Sequence, residues 1–172
     1  MIKLDLTTRR AKPGDAAVIS RHRRLMFEAM GHSDVGKLDA MEAAYVGWVR
    51  ERLARDEYLG WLVVTPEGFA ASGLGLWVRE LPPNPADMCG RRGYIFNVYT
   101  YPDYRRRGLA RQLIMESLAW CRDNGIQAVT LHYSEDGRSL YESIGFTVHN
   151  EMIFWTRNLA SQPVIDAEST HA

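Results

Sequence analysis

Three consecutive arginines followed by a glycine form the part of the sequence best suited to binding a phosphate. Arg105, Arg106, Arg107 and Gly108 follow an apolar stretch and precede an amphipathic one, and residues 104–112 contain no acidic side chain. The first backbone N–H groups of a helix have no partner within the helix and lie at the positive end of its dipole. A glycine lets such a backbone approach an anion closely. The pattern therefore predicts a phosphate-binding loop at a strand-to-helix junction.

The stretches on either side of this loop have the patterns of a strand and a helix. Residues 94–101 are aromatic and β-branched with little polarity, which predicts a strand buried on both faces. Pro102 ends that strand because it has no N–H to donate to a neighbouring strand. From Arg106 onward apolar residues recur at three- and four-residue spacing, which predicts a helix ending at the Asp123-Asn124-Gly125 turn.

The first sixty residues predict a strand and two helices. Apolar and polar residues alternate over residues 2–6, as in a strand with one face inward. Asp15 is suited to cap a helix that runs to about Met30, and a second helix is expected over residues 37–56. His22 has no second ligand one helical turn away, so we expect a surface or half-buried histidine without a metal.

The remaining segments predict a hairpin and a C-terminal group of short elements. Strands are expected over residues 61–65 and 69–78, with a turn at Pro66-Glu67-Gly68. Gly73 and Gly75 indicate a bulge or a close backbone contact in the second of these strands. The other expected elements are a strand over 128–133, a short helix capped by Ser134 or Asp136 and ended by Gly145, and strands over 146–148 and 152–155.

Composition limits the class of protein. The 172 residues fit one domain, which we expect over residues 1–158, followed by a disordered tail over 159–172. Lysine plus arginine and aspartate plus glutamate both number 21, and this balance argues against a nucleic-acid-binding protein. No apolar run is long enough to span a membrane, and residues 1–5 do not resemble a signal peptide. Cys89 and Cys121 lack metal-ligand spacing and favour a reduced, cytoplasmic compartment.

Two motifs resemble those of one enzyme family. Arg105-x-x-Gly108-x-Ala110 is similar to the acyl-CoA pyrophosphate loop of the GNAT superfamily of N-acetyltransferases, whose pattern is Gln/Arg-x-x-Gly-x-Gly/Ala. About thirty residues later, the stretch 140–146 resembles the Leu-Tyr-Glu-x-x-Gly-Phe motif near the end of the same fold. The resemblance implies an α/β domain with a central mixed, mostly antiparallel, partly splayed sheet flanked by helices.

The resemblance also implies acetyl-CoA as a co-substrate, with no metal. In this family the loop amides hold the pyrophosphate, and the central strand pairs with the pantetheine arm as an added strand would. The residues expected to bind the cofactor are Val98, Tyr99, Thr100, Arg105, Arg106, Arg107, Gly108, Leu109, Ala110, Arg111 and Ser134. Ser134 stands where many relatives have an asparagine, seven residues before the tyrosine of the second motif.

Tyr141 resembles the family's general acid, which gives a proton to the departing CoA thiolate. The general base is less evident, because Tyr94 stands where some relatives carry a glutamate early on the central strand. His132 and Glu28 are candidates, and two alternatives stay open: loss of the proton through water, or arrival of a neutral amine.

The implied function is transfer of acetyl from acetyl-CoA to a primary amine of a small molecule or peptide, by direct attack. A non-catalytic acyl-CoA-binding sensor or partner-binding module is the alternative; the missing carboxylate favours it slightly, and Tyr141 counts against it. Four aromatic side chains could line an acceptor site or belong to the core: Phe27, Tyr45, Trp48 and Trp77. We expect no nucleic-acid or membrane partner, and a homodimer stays open.

Overall fold

The computed structural model describes residues 5–85 and 87–149, in which five strands form one open mixed sheet. In sheet order the strands are β1 (Thr7–Arg10), β2 (Tyr58–Val64), β3 (Ala70–Glu80), β4 (Arg91–Thr100) and β5 (Ala128–Leu131). Each neighbouring pair from β1 to β4 is antiparallel, whereas β5 is parallel to β4. The helices are α1 (Ala16–Ala29), α2 (Val35–Ala54), α3 (Leu109–Asp123) and α4 (Glu135–Ile144). The expected fold class, a mixed and mostly antiparallel sheet flanked by helices, is confirmed.

The helices cover both faces of the sheet, and β2 is therefore buried on both. Alternate residues of a strand point to opposite faces. Tyr58, Leu62 and Val64 therefore join one core with α1 and α2, while the intervening residues of β2 join a second core with α3. Residues of α4 pack against the α3 side of the sheet.

A bulge in β4 changes which residues face each side. Gly75 pairs with Phe96 but Gly73 pairs with Tyr99, so β4 has one residue more than β3 between these pairs. The extra residue lets Asn97, at φ 54°, bond to groups on the α1 and α2 side, where Phe96 also packs. The predicted irregularity lies at Gly73 and Gly75, but its extra residue is in β4 and not in the strand that contains the glycines. Alternate residues of β4 are buried and the others half-buried, so the strand is not buried on both faces as predicted.

The sheet is splayed next to this bulge. β5 pairs with β4 only from Arg92↔Ala128 to Ile95↔Leu131, and the second half of β4 continues without β5 beside it. The chain then turns through a short 3₁₀ helix, Pro102–Tyr104, into the arginine loop. This open strand edge is the feature that positions the site.

Several boundaries differ from the predictions. The strand expected over residues 2–6 lies mostly outside the described residues. Leu6 packs against the core without being part of a strand, and β1 begins at Thr7, where pairing with β2 starts. The helix expected from Arg106 begins at Leu109, because Arg106 (φ 59°) and Gly108 (φ 78°) have left-handed backbone conformations. Residues 146–149 form no strand. The strand expected over 152–155, the domain boundary at 158 and the tail lie outside the described residues.

His22 is also placed differently from the prediction. Its side chain is 2% exposed, and its Nε2 lies 3.1 Å from the carbonyl oxygen of Ala70. A carbonyl only accepts, so Nε2 carries the proton. Burial lowers the pKa of His22 to about 4. Gly73 makes room for this ring, because a Cβ there would lie 2.7 Å from Nδ1.

Candidate active site

A cleft of about 1220 Å³ opens where β4 and β5 separate. Residues 95–100 of β4 line one wall, and His132 with the start of α4 lines the other. The cleft extends at one end to the loop before α3 and at the other to α1 and α2. The cleft therefore connects the loop that was predicted to bind phosphate with the aromatic side chains that the sequence left open between acceptor site and core.

The open edge of β4 is suited to pairing with an extended ligand. Val98, Tyr99 and Thr100 line the cleft, and Ser134 lines the facing wall. Backbone groups of an unpaired strand edge can bond to the amides of an extended molecule as a further strand would. The structure thus brings these four expected cofactor residues to one space.

The loop before α3 has the backbone geometry of an anion site. The first helical hydrogen bond of α3 runs from the Gln112 amide to the Gly108 carbonyl at 3.0 Å. The amides of Leu109, Ala110 and Arg111 precede it and have no acceptor within the helix. Ala110 lines the cleft, so these amides lie at its end.

The arginine side chains of this loop have other roles. Arg105 lines the cleft and its Nε donates to the Thr100 carbonyl at 3.1 Å. Arg107 donates to the Asp103 carbonyl at 3.0 Å, and Arg111 to the Ser143 hydroxyl at 2.5 Å. The last of these bonds ties α3 to α4. Arg106, Arg107, Gly108, Leu109 and Arg111, which were also expected to bind the cofactor, do not line the cleft.

Tyr141 lines the cleft from α4. Ser134 is the N-cap residue of this helix as expected, although its hydroxyl makes no capping bond. Gly145 ends the helix at φ 114°. The Tyr141 ring meets Phe146 edge-on with centroids 5.9 Å apart, and burial raises the pKa of its phenol. The phenol therefore stays protonated at neutral pH, and no group among the described residues bonds to its hydroxyl.

The two candidate bases lie in different places. His132 lines the cleft, and its Nδ1 lies 2.6 Å from the Tyr94 hydroxyl. Glu28 does not line the cleft, and its carboxylate accepts a hydrogen bond from Arg24 Nε at 2.8 Å. The structure thus brings only the histidine to the site.

The four aromatic side chains singled out in the sequence all line the cleft. Tyr45 and Trp48 are stacked with ring centroids 5.4 Å apart, and Trp77 meets Trp48 edge-on at 5.8 Å. Tyr45 is only 8% exposed and belongs to the core as well. The two expectations for these aromatics, core and acceptor site, are therefore not exclusive.

Arg23 and Asn97 also line the cleft, and sequence reasoning missed both. Arg23 Nη1 donates to Asn97 Oδ1 at 2.6 Å, and Asn97 Nδ2 donates to the Tyr45 hydroxyl at 2.5 Å. Burial raises the pKa of Tyr45 to about 12. One polar residue within the apolar stretch 94–99 was the signal that could have marked Asn97.

Residues 5–85 and 87–149 contain no group of three histidine, cysteine, aspartate or glutamate side chains arranged to hold a metal ion. None of the helices in this part of the chain is both long and apolar enough to cross a membrane.

Comparison with known proteins agrees with this architecture. The model of the acetyltransferase (GNAT) family matches residues 18–146. The crystal structure of a GCN5-related N-acetyltransferase from Ralstonia eutropha JMP134 has a TM-score of 0.82 and 33% identity, over 88% of this chain and 99% of that one. A predicted acetyltransferase with acetyl-CoA from Clostridium acetobutylicum has the same fold, with a TM-score of 0.81, 21% identity, and coverage of 91% of this chain and 98% of that one.

A curated relative is similar over a shorter stretch. The glucosamine 6-phosphate N-acetyltransferase of Trypanosoma brucei brucei is 36% identical over 61 residues, which are 36% of this chain and 42% of that protein. The match thus spans less than half the length of that relative. The family match over residues 18–146 and the likeness to the Ralstonia structure carry the conclusion: this chain belongs to the GNAT family of acetyltransferases.

Proposed function

We propose that this protein transfers the acetyl group of acetyl-CoA to a primary amine by direct attack on the thioester. The observation that carries the proposal is the shared cleft, which the open edge of β4, Ala110 at the start of α3, and Tyr141 all line. Membership of an acetyltransferase family supports acetyl transfer in general.

The loop before α3 would bind the pyrophosphate of acetyl-CoA. The proposed donors are the backbone amides of Arg106, Arg107, Gly108, Leu109, Ala110 and Arg111. Amides at a helix N-terminus and the helix dipole both favour a negatively charged group. Pro102–Tyr104 and the left-handed residues of the loop turn the chain so that α3 begins at the end of the cleft.

The pantetheine arm would lie along the open edge of β4. In this proposal Val98, Tyr99 and Thr100 bond to its amides through their backbone groups, and Ser134 contacts the arm from the facing wall. The thioester then lies beside the bulge, where the Val98 or Tyr99 amide can donate to the carbonyl oxygen. Such a donor stabilises the negative charge that develops on this oxygen.

The proposed reaction has two bond changes at one carbon. The amine nitrogen attacks the thioester carbonyl carbon and forms the C–N bond of a tetrahedral intermediate. The intermediate collapses by breaking the C–S bond, and the Tyr141 hydroxyl donates a proton to the departing thiolate. The attacking amine is neutral, and its nitrogen loses one proton, which we route through water next to His132. A proton from water then restores the Tyr141 hydroxyl. The resulting products are an N-acetyl amine and CoA.

Direct attack is favoured over an acyl-enzyme because neither cysteine is a suitable nucleophile. Cys121 is 2% exposed, and burial raises the pKa of its thiol to about 11. Cys89 does not line the cleft. A thiol needs a low pKa and access to substrate to act as a nucleophile.

The alternative is a non-catalytic acyl-CoA-binding module. It is supported by the lack of an acidic side chain, which could act as a base, on the part of β4 that lines the cleft. The protonated phenol of Tyr141 in the same cleft favours catalysis. Release of CoA from acetyl-CoA, measured over a panel of primary amines with Tyr141→Phe as the comparison, separates the two. Tight binding of acetyl-CoA without release of CoA over that panel would contradict the enzymatic proposal.

A further inference from the structure

Three arginines lie close together on α1, and they differ in their partners. Arg24 pairs with Glu28, Asp39 and Glu42, and Arg21 lies 3.9 Å from Glu42. Arg23 lines the cleft, and no carboxylate among the described residues lies within ion-pair distance of it. The arginine that faces the cleft is therefore the one whose charge has no acidic partner.

The guanidinium of Arg23 is held in place but keeps unused donors. Its carbon lies 4.9 Å from the centre of the Phe27 ring and 4.8 Å from that of Tyr45. Nη1 donates to Asn97 Oδ1, whereas the buried Nε has no hydrogen-bond partner. A buried donor without a partner costs free energy, and a fork of N–H groups suits carboxylate or phosphate oxygens. The group is thus preorganised for an anion.

The surroundings of Arg23 provide no competing negative charge. The cleft near it is lined by apolar and aromatic side chains, among them Met26, Met41, Trp48 and Phe96. The acidic residues that line the cleft, Glu135 and Asp136, lie at the start of α4. Arg105 also lines the cleft, but its Nε donates to the Thr100 carbonyl next to the loop to which we assign the pyrophosphate. An anionic group of the acceptor would therefore find its partner at the α1 end.

We propose that Arg23, oriented by Asn97, is the anion subsite for the acceptor, so that the acceptor is an amine that also carries a carboxylate or phosphate group. This rests on the proposed function, because it takes the acceptor to be an amine. Asn97 directly precedes Val98, which we assigned to the thioester. The anionic group and the attacking nitrogen must therefore lie close together in one small molecule. The aromatic wall contacts its remaining atoms.

Matched pairs of amines test the subsite. One pair is phenylalanine and phenylalaninamide, which differ in the carboxylate; the other is glucosamine 6-phosphate and glucosamine, which differ in the phosphate. In each pair the charged member is the one with the carboxylate or phosphate group. We expect its kcat/KM to exceed that of the other member by about tenfold or more in at least one pair. Its affinity for the CoA-loaded protein, measured by calorimetry, should be higher by a similar factor. The pair that shows the preference identifies the anion.

Variants of α1 assign that preference to Arg23. In Arg23→Gln the ratio of kcat/KM between the charged member and the other member of a pair should fall to within about threefold, because the charge of Arg23 is lost. Arg23→Lys keeps a charge without the fork and should retain part of the ratio. Arg21→Gln is the control, since Arg21 does not line the cleft, and it should keep the whole ratio. If circular dichroism shows that Arg23→Gln is unfolded, Arg23→Met should be used in its place, because methionine preserves the packing between the rings of Phe27 and Tyr45.

The outcomes separate this proposal from the function on which it rests. The subsite would be overturned if the parent protein showed equal kcat/KM and affinity for both members of each pair. It would also be overturned if Arg23→Gln lowered kcat/KM for both members by the same factor. Arg23 would then have only a structural role, through its bond to Asn97 in the bulge. Calorimetric preference for the charged member, without acetylation of any amine, would support the subsite and contradict the acetyl transfer.

Discussion

The hydroxyl of Tyr94 lies 2.6 Å from Nδ1 of His132, and this contact bridges β4 and the segment that follows β5. The two rings meet edge-on with centroids 5.6 Å apart, and both line the cleft. With Nδ1 occupied by Tyr94, Nε2 is the nitrogen that can face water or substrate. The contact thus orients an imidazole at a site whose strand carries no acidic residue.

The first prediction concerns loss of the amine proton. If the proton leaves through water rather than a dedicated base, His132→Ala and Tyr94→Phe should each lower kcat/KM by less than about tenfold, below the range usual for a positioned base. kcat/KM should rise with pH and level off only near the pKa of the amine. Glu28→Gln, outside the cleft, should also cost less than about tenfold. A plateau between about pH 6 and 7.5 that His132→Ala removes would instead identify the histidine as the base.

The second prediction concerns the phosphate-binding loop. Gly108 has φ 78°, and no atom lies within 4 Å of a Cβ built there. Asp and Asn tolerate this backbone conformation about equally, so comparing Gly108→Asp with Gly108→Asn isolates the effect of negative charge. We expect the Asp variant to bind acetyl-CoA at least about tenfold more weakly than the Asn variant in calorimetry. Equal affinities of the two variants for acetyl-CoA would contradict the assignment of the pyrophosphate to this loop.

The third prediction concerns the general acid. Tyr141→Phe should lower kcat by about 10²-fold or more, because the departing thiolate loses its proton donor. Affinity for acetyl-CoA should change little, since the proposed cofactor contacts lie elsewhere. Tyr133→Phe is the control, because Tyr133 does not line the cleft. Unchanged turnover of Tyr141→Phe, at a pH where chemistry limits the rate, would leave the tyrosine a packing residue.

The fourth prediction is a dependence of stability on pH. Burial lowers the pKa of His22 to about 4, from a usual value near 6.5. The unfolded chain therefore takes up a proton before the folded one, and stability falls as pH falls from about 6.5 to 4. The loss is on the order of 3 kcal/mol. Urea titrations should show His22→Gln losing this pH dependence relative to the parent, whereas His32→Gln, at an exposed position, should keep it.

A fifth prediction concerns the close packing under the site. A Cβ at Gly75 would overlap the phenol of Tyr58, which is only 1% exposed. Gly75→Ala should therefore destabilise the fold by about 1–3 kcal/mol. Gly47→Ala, on the exposed face of α2 with nothing within 4 Å, should instead stabilise it by about 0.5–1 kcal/mol. Thermal unfolding of the pair checks both signs, and a tolerated Gly75→Ala would contradict the packing described here.

Features that depend on near neighbours in the chain were predictable from the sequence. The hairpin turn before Phe69 forms through the Gly68 and Thr65 amides, and Gly125 and Gly145 end their helices in left-handed conformations. Hydrogen bonds over three to five residues define such turns and caps, so local residue types suffice to predict them. The turn into α3 could be predicted for the same reason, whereas the fold class and the choice of Tyr141 came from the resemblance of two motifs to the family.

Contacts between distant parts of the chain were decided by the tertiary structure. Arg23 meets Asn97 across 74 positions, and His22 meets Ala70 across 48. Both contacts depend on the strand register and the bulge, which set the face that each side chain takes. Hydrophobic periodicity marks the side of an element that turns inward but not which element it meets. The sequence by itself therefore determined that a loop with three arginines and a glycine, and later a tyrosine, occur in this family's order. Only the packed sheet decided that Arg23, Asn97 and His132 share their cleft, because its splayed strands bring residues from α1, β4 and the end of β5 together.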